Sequence, residues 1–283
     1  MGHRTTELRL IRASAGQPDA SDWSSSTIAT GVGTCAGLCG AGQACIAGAA
    51  VTDPETCTAV TTDCTAACAS GDVCIAGACT AELAKPTVAQ LATGTGLYVN
   101  LGAMPDGRLA ATYYDRSKRA LVLALESGTG SNTFAETVLD TVTPGDRGMW
   151  ARAVIDGSGA VHVAYQDALG DQLMYTTYAG SVLTPEVVDD GTRAGDRTHP
   201  VGAGASIYLV NGSPTIAYQD GLNADVYVAT KAGATWTKNP VAPGALLDGF
   251  AMAVTTFAGT PVAAWGQIDP AAAPNRNLII RTP

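Results

Sequence analysis

One segment, Gly159 to Gly180 (GAVHVAYQDALGDQLMYTTYAG), recurs along this chain, and that repetition limits what the chain can fold into more than any other feature. The other copies are GRLAATYYDRSKRALVLALESG from Gly107, GSPTIAYQDGLNADVYVATKAG from Gly212 and, more distantly, GTPVAAWGQIDPAAAPNRNLIIRTP from Gly259. Tyr114/Asp115 (or Tyr113, with a slip of one), Tyr165/Asp167, Tyr218/Asp220 and Trp265/Gln267 fall at equivalent places. Asp115, Asp167 and Asp220 are separated by 52 and then 53 residues. Within the unit, Trp150 to Ile155 reads as a strand closed by Asp156-Gly157-Ser158-Gly159, residues that tolerate the backbone of a tight turn. Val161 to Tyr165 reads as a second strand and Leu173 to Tyr178, after Gly170-Asp171, as a third.

Each copy is preceded by an apolar stretch: Leu97 to Met104, Trp150 to Ile155, Ser206 to Val210 and Met252 to Phe257. Three are followed by a fourth strand pattern, at Phe134 to Leu139, Val182 to Val188 and Thr235 to Val241. Four strands in roughly 50 residues is the period of a propeller blade. The chain is therefore predicted to be all-β, a β-propeller with repeats over about 97–141, 149–190, 204–242 and 250–283 within 83–283. Residues 1–31 read as strands three and four of a partial blade, with Glu7 to Ser14 as the third and Trp23 to Thr30 as the fourth. Both termini offer a third-strand pattern, so the chain is expected to be a piece of a longer propeller; the alternative is that its N-terminal strands complete the last blade.

Residues 32–82 break this pattern. Cys35, Cys39, Cys45 and Cys57, then Cys64, Cys68, Cys74 and Cys79, share C-x3-C-x5-C spacing, and CGAGQACIAG is nearly repeated as CASGDVCIAG. So short a segment, rich in Gly, Ala and Thr, cannot build a core without cross-links. Structural zinc favours C-x2-C knuckles, and here there is neither such a knuckle nor a nearby histidine, so disulfides are expected. Eight cysteines allow 105 pairings. Two tandem four-cysteine modules are the simplest arrangement, with connectivity left open. Cystine-rich segments belong to oxidising compartments, which predicts an extracellular or cell-surface location.

The run D-G-x-G-x-x-H-V-A-Y-x-D…L-x-Y…V-V-D, from Asp156 to Asp189, resembles the sialidase-type and related repeat propellers of secreted bacterial proteins, over roughly residues 97–283. The cysteine block at 35–79 resembles small EGF-like repeats of bacterial surface proteins. These resemblances imply fold and compartment and transfer no mechanism. The S-x-D-x-G-x-x-W pattern of the sialidase family is absent.

Only 14% of residues are charged, and the formal net charge is −9, which argues against nucleic acid or an anionic membrane as the main partner. No run of 18 apolar residues spans a bilayer. The start, MGHRTTELRLIRASAG, lacks the apolar core of a signal peptide.

The triplet Gly145-Asp146-Arg147 returns as Gly195-Asp196-Arg197. Arg147 and Arg197 could fork onto a carboxylate or sulfate of an acidic sugar, or each could pair with the repeating carboxylate of its own or the next blade, Asp167 or Asp220. Tyr165 and Tyr218 could stack on a sugar or pack between blades. His199 sits in a loop beside Arg197, whereas His162 lies in a strand. Asp189, Asp190 and Asp196 share a loop that could bind Ca2+ weakly; no other cofactor is expected. No G-x-S-x-G, H-E-x-x-H or P-loop is present. The sequence therefore predicts a binding or adhesion module for a glycan or an extracellular protein. Self-assembly by strand complementation is the alternative, and a sialidase-like glycoside hydrolase a further one.

Overall fold

A computed structural model describes residues 7–13, 23–30, 39–46, 56–83, 94–242, 244, 246–257, 260–269 and 276–281. The described secondary structure is strand throughout, and it falls into two units, residues 1–95 and 96–283. No helix among the described residues is long and apolar enough to cross a membrane.

In the first unit, β1 (Glu7–Ala13) pairs antiparallel with β2 (Trp23–Thr30). Two small hairpins follow, β3 (Gln43–Ile46) with β4 (Thr56–Ala59) and β5 (Asp72–Ile75) with β6 (Ala78–Ala81). Cys45 faces Cys57 across the first hairpin and Cys74 faces Cys79 across the second. These facing cysteines do not join one another. Cys74 bonds back to Cys64, Cys79 to Cys68, and Cys57 to Cys39. The second block therefore pairs first with third and second with fourth, and Cys39–Cys57 is the same second-to-fourth link in the first block. Cys45 is also disulfide-bonded, and Cys35 lies outside the described residues. Each bridge ties the loop before a hairpin onto the hairpin itself. The closed loops span 18, 10 and 11 residues, and in the chain-entropy account each closure contributes about 3 kcal/mol.

The second unit holds the repeats. Its first sheet is β7 (Leu97–Ala103), β8 (Leu109–Asp115), β9 (Ala120–Glu126) and β10 (Phe134–Asp140), a four-stranded antiparallel meander. The second is β11 (Arg147–Ile155), β12 (Val161–Asp167), β13 (Gln172–Tyr178) and β14 (Glu186–Asp189). The third is β15 (Ser206–Val210), β16 (Ser213–Asp220), β17 (Asp225–Ala232) and β18 (Thr235–Ala242). A fourth contains β19 (Leu247–Phe257), β20 (Thr260–Ile268) and β21 (Arg276–Arg281). The first three have the strand number, order and direction of propeller blades, and the fourth supplies three such strands among the described residues. The first strands β7, β11, β15 and β19 lie beside one another along one edge of the stack.

Blades pack face to face, so the middle strands read apolar on both sides; β8, β9, β12 and β13 are buried almost throughout. Leu121, Leu123, Val163 and Tyr165 fill the joint between the first two blades. Ile207, Ile216, Tyr218 and Val188 fill the next, and Trp265, Met252 and Val226 the last. A glycine with positive φ opens each later blade: Gly148, Gly202 and Gly249. A Cβ there would lie 2.9 Å from Leu121 Cα, 3.1 Å from Leu173 Cα and 3.1 Å from Gln219 Cγ respectively. The incoming strand thus rests on the preceding blade closely enough to exclude a side chain.

Replacing Cys79 by Ser opens the Cys68 bridge and should cost the first unit about 3 kcal/mol. Hydrogen exchange would show protection lost over 64–81 with the blades of the second unit unchanged; equal loss in the blades would contradict independent stapling.

Candidate functional site

The recurring Tyr-Gln-Asp of the second strand divides its side chains between two neighbours, because successive residues of a strand face opposite sides. Tyr165 donates its hydroxyl to Asp140, the last residue of the preceding blade, and Tyr218 does the same to Asp189, at 2.7 Å. Gln166 and Gln219 point the other way and donate to the Val201 and Asp248 carbonyls, each just before a blade-opening glycine. Asp167 completes the first joint. Arg147 Nε lies 3.0 Å from its carboxylate and Nη1 3.0 and 3.2 Å from the two oxygens of Asp140. One guanidinium thus bridges carboxylates of adjacent blades.

The second joint repeats this chemistry with an arginine that lies off the sequence register. Arg193, not Arg197, reaches Asp189 at 2.9 Å and Asp220 at 3.1 Å. Arg197 is exposed on the loop, with no ion pair among the described residues. The matching triplets misled because the loop after Asp189 places Arg193 only four residues past the carboxylate, whereas Arg147 follows Asp140 by seven. At the third joint Trp265 Nε1 donates to Asp248 at 2.6 Å and Gln267 Nε2 at 2.9 Å, so two neutral donors replace the cation.

His199 is 2% exposed; its Nδ1 lies 2.6 Å from Asp220 and its Nε2 3.2 Å from Asp196. Burial disfavours the imidazolium, but hydrogen bonds to the two carboxylates, with their charges, outweigh it and raise the pKa above the ordinary value. Burial likewise works against the Asp189 carboxylate, and the bonds from Arg193, Tyr218 and Lys238 hold its pKa below the usual range. Burial, then the charge of the adjacent aspartate, pushes the Tyr165 and Tyr218 phenols well above theirs, so both remain donors.

Of the residues singled out in sequence, Arg147 and Tyr165 meet in the first joint, while Tyr218 and His199 meet in the second. Tyr165 and Tyr218 are completely buried, with no ring face open to solvent. Asp189, Asp190 and Asp196 do not converge: Asp189 holds Arg193 and Lys238, Asp190 caps Thr192, and Asp196 accepts from Arg197 N. Among the described residues the one grouping with metal-ligand spacing is Cys64, Cys68 and Cys79, all engaged in disulfides.

Open space lies elsewhere, at the end of the stack that carries the first-to-second-strand turns. A cleft of about 550 Å³ separates the first two blades, lined by Met104, Pro105 and Leu125 with Asp106, Arg108, Ser158 and Tyr178. Arg108 Nε lies 2.8 Å from Asp106 Oδ2, and its backbone N 3.1 Å from Oδ1. These bonds from Arg108 hold the Asp106 pKa below the ordinary range. A second cleft, of about 600 Å³, lies between the third and fourth blades. At the equivalent place between the second and third blades, Trp236 packs edge-on against Tyr175 with ring centres 5.2 Å apart, and both Trp236 and Lys231 bond Glu186. Nothing in the sequence marked Asp106, Arg108 or Tyr178, because the repeat alignment weights what recurs and these positions vary.

Breaking a buried pair leaves an uncompensated charge, so Arg147→Ala should destabilise the second unit by about 3–5 kcal/mol, while Arg197→Ala should change it by less than about 0.5 kcal/mol. Denaturant titration of both variants checks this. His199 supplies the pH dependence. Its folded pKa is raised, so its stabilisation is complete below the ordinary value of 6.5 and is lost as pH rises through the folded value. Melting temperature should therefore fall across that window in the native protein and change less in His199→Gln.

No known protein family and no curated protein matches the chain. Among solved structures, an arginine-substituted mutant of AofleA from Arthrobotrys oligospora is similar at 14% identity and TM-score 0.44, over 74% of this chain and 60% of that one. Exo-β-1,3-galactanase from Phanerochaete chrysosporium with β-1,3-galactotriose gives 9% identity and 0.42, over 65% and 45%. α-L-arabinofuranosidase from Lactobacillus brevis gives 14% and 0.36, over 47% and 48%. The chain thus spans about half the length of these structures, and likenesses this distant carry no argument about what it binds.

Proposed function

We propose that this chain is a carbohydrate-binding module of an oxidising, extracellular setting, and that the cleft between the first two blades takes a saccharide. The observation that carries this reading is the Asp106–Arg108 pair on the cleft wall, with side chains 53% and 30% exposed. A sugar hydroxyl both donates and accepts. A carboxylate and a guanidinium fixed side by side suit two adjacent hydroxyls, which give a proton to Asp106 and accept one from Arg108. Met104, Pro105 and Leu125 supply the apolar surface on which the C–H face of a pyranose rests, and Ser158 and Tyr178 lie on the same cleft. The carboxylates that recur with the blades are held by Arg147 and Arg193, which favours recognition over hydrolysis.

Calorimetric titration with neutral methyl glycosides of galactose, glucose and mannose tests this. Binding by at least one is expected, and Arg108→Gln should weaken it by about tenfold or more without lowering the melting temperature, since a hydrogen bond to a charged group is worth about 1.5–3 kcal/mol. Unchanged affinity in Arg108→Gln, or no binding by any glycoside, would overturn the assignment.

A further inference from the structure

The cleft between the third and fourth blades differs from the first in its charge. Its walls are Val210, Val228, Val241, Pro240 and Pro261, apolar groups contributed by both blades. Set among them are the Asn239 amide, the Thr230 and Ser213 hydroxyls, and the Arg281 guanidinium. Arg281 donates weakly to the Val241 carbonyl, at 3.4 Å, and its guanidinium lies 5.9 Å from the Trp265 ring centre. No carboxylate lies within ion-pair range of it among the described residues. The other cation lining this cleft, Lys231, has its ammonium engaged by Glu186. A chain with a formal net charge of −9 thus presents, in a cleft of about 600 Å³, an arginine with no acid partner among the described residues.

The strand register shows how the wall of this cleft differs from the equivalent place one blade earlier. Tyr175 and Glu186 are paired across β13 and β14 as Val228 and Asn239 are across β17 and β18. One blade earlier the larger pair is capped by Trp236. At this cleft the smaller Val228 and Asn239 stand in the same places; Val228 packs into the core cluster that holds Trp265 and still lines the cleft.

We propose that this cleft is a second ligand site, selective for a saccharide bearing a carboxylate. The carboxylate would accept two N–H bonds from Arg281, the planar geometry at which guanidinium surpasses any other side chain. Asn239 and Thr230 would take the ring hydroxyls, and the valines and prolines its C–H face. This rests on the reading of the chain as a carbohydrate-binding module but uses different residues from the first cleft.

The full chain is titrated with methyl β-glucuronide and with methyl β-glucoside, which share a ring and differ in the acid. The glucuronide is expected to bind about tenfold or more tightly at this site, with affinity falling as salt is raised. Arg281→Gln should abolish that preference, while Arg108→Gln should leave it intact. Equal affinity for the two glycosides, or a glucuronide preference that survives Arg281→Gln, would overturn the proposal. Loss of the preference in Arg108→Gln alone would place the acid in the first cleft and overturn it too. Failure of neutral glycosides to bind while the glucuronide preference persists would instead count against the first cleft and leave this one standing.

Discussion

A guanidinium shared between two buried carboxylates, one from each of two adjoining sheets, holds the repeat unit together. Arg147 between Asp140 and Asp167, and Arg193 between Asp189 and Asp220, sit where apolar packing would be the simpler solution. Two carboxylates drawn so near to each other would repel if left alone, and the cation turns that repulsion into a directional link. The tyrosine hydroxyl aimed at the same aspartate satisfies a further lone pair, so the cluster does not leave a polar atom stranded in the core. Such a joint stabilises one relative position of two sheets and penalises slippage. Hydrophobic contacts between flat faces do this poorly, because they are non-directional.

Much of this arrangement was legible in the chain itself. The alternation of Tyr, Gln and Asp in AYQD, its return after about one blade, and the turn residues around it gave the strand order and the period. What was not legible was the partner of each aspartate. Arg193 and Arg147 do equivalent work at different distances along the chain, since the loop between blades changes length while the joint does not. Matching the Gly-Asp-Arg triplets therefore selected Arg197, which is in solvent. The clefts were hidden for a related reason. Residues that recur were noticed, yet a pocket forms where a blade departs from its siblings, as at Asp106, Tyr178, Asn239 and Arg281.

The cysteine block follows a different logic. Its two hairpins are four residues to a strand, too short to bury an apolar face, and the described side chains there are mostly small. Order comes from covalent closure. Cross-strand cysteines that face each other but bond outward convert a hairpin into a clasp for the loop before it. The spacing pointed to disulfides; it could not reveal that in the second block first joins third and second joins fourth, because that depends on which way the preceding loop turns.

The opposed directions of the Tyr and Gln side chains have a genealogical consequence. The second and third blades each carry half of the joint behind and half of the joint ahead, so copying such a unit in frame, with the break anywhere in the period, recreates complete joints on both sides. The last blade records how such copies drift apart. With Trp265 and Gln267 in place of Tyr and Asp, the acceptor is Asp248 from its own first strand, and the arginine becomes dispensable. A blade that supplies its own acceptor is released from matching its predecessor, and its sequence is free to diverge.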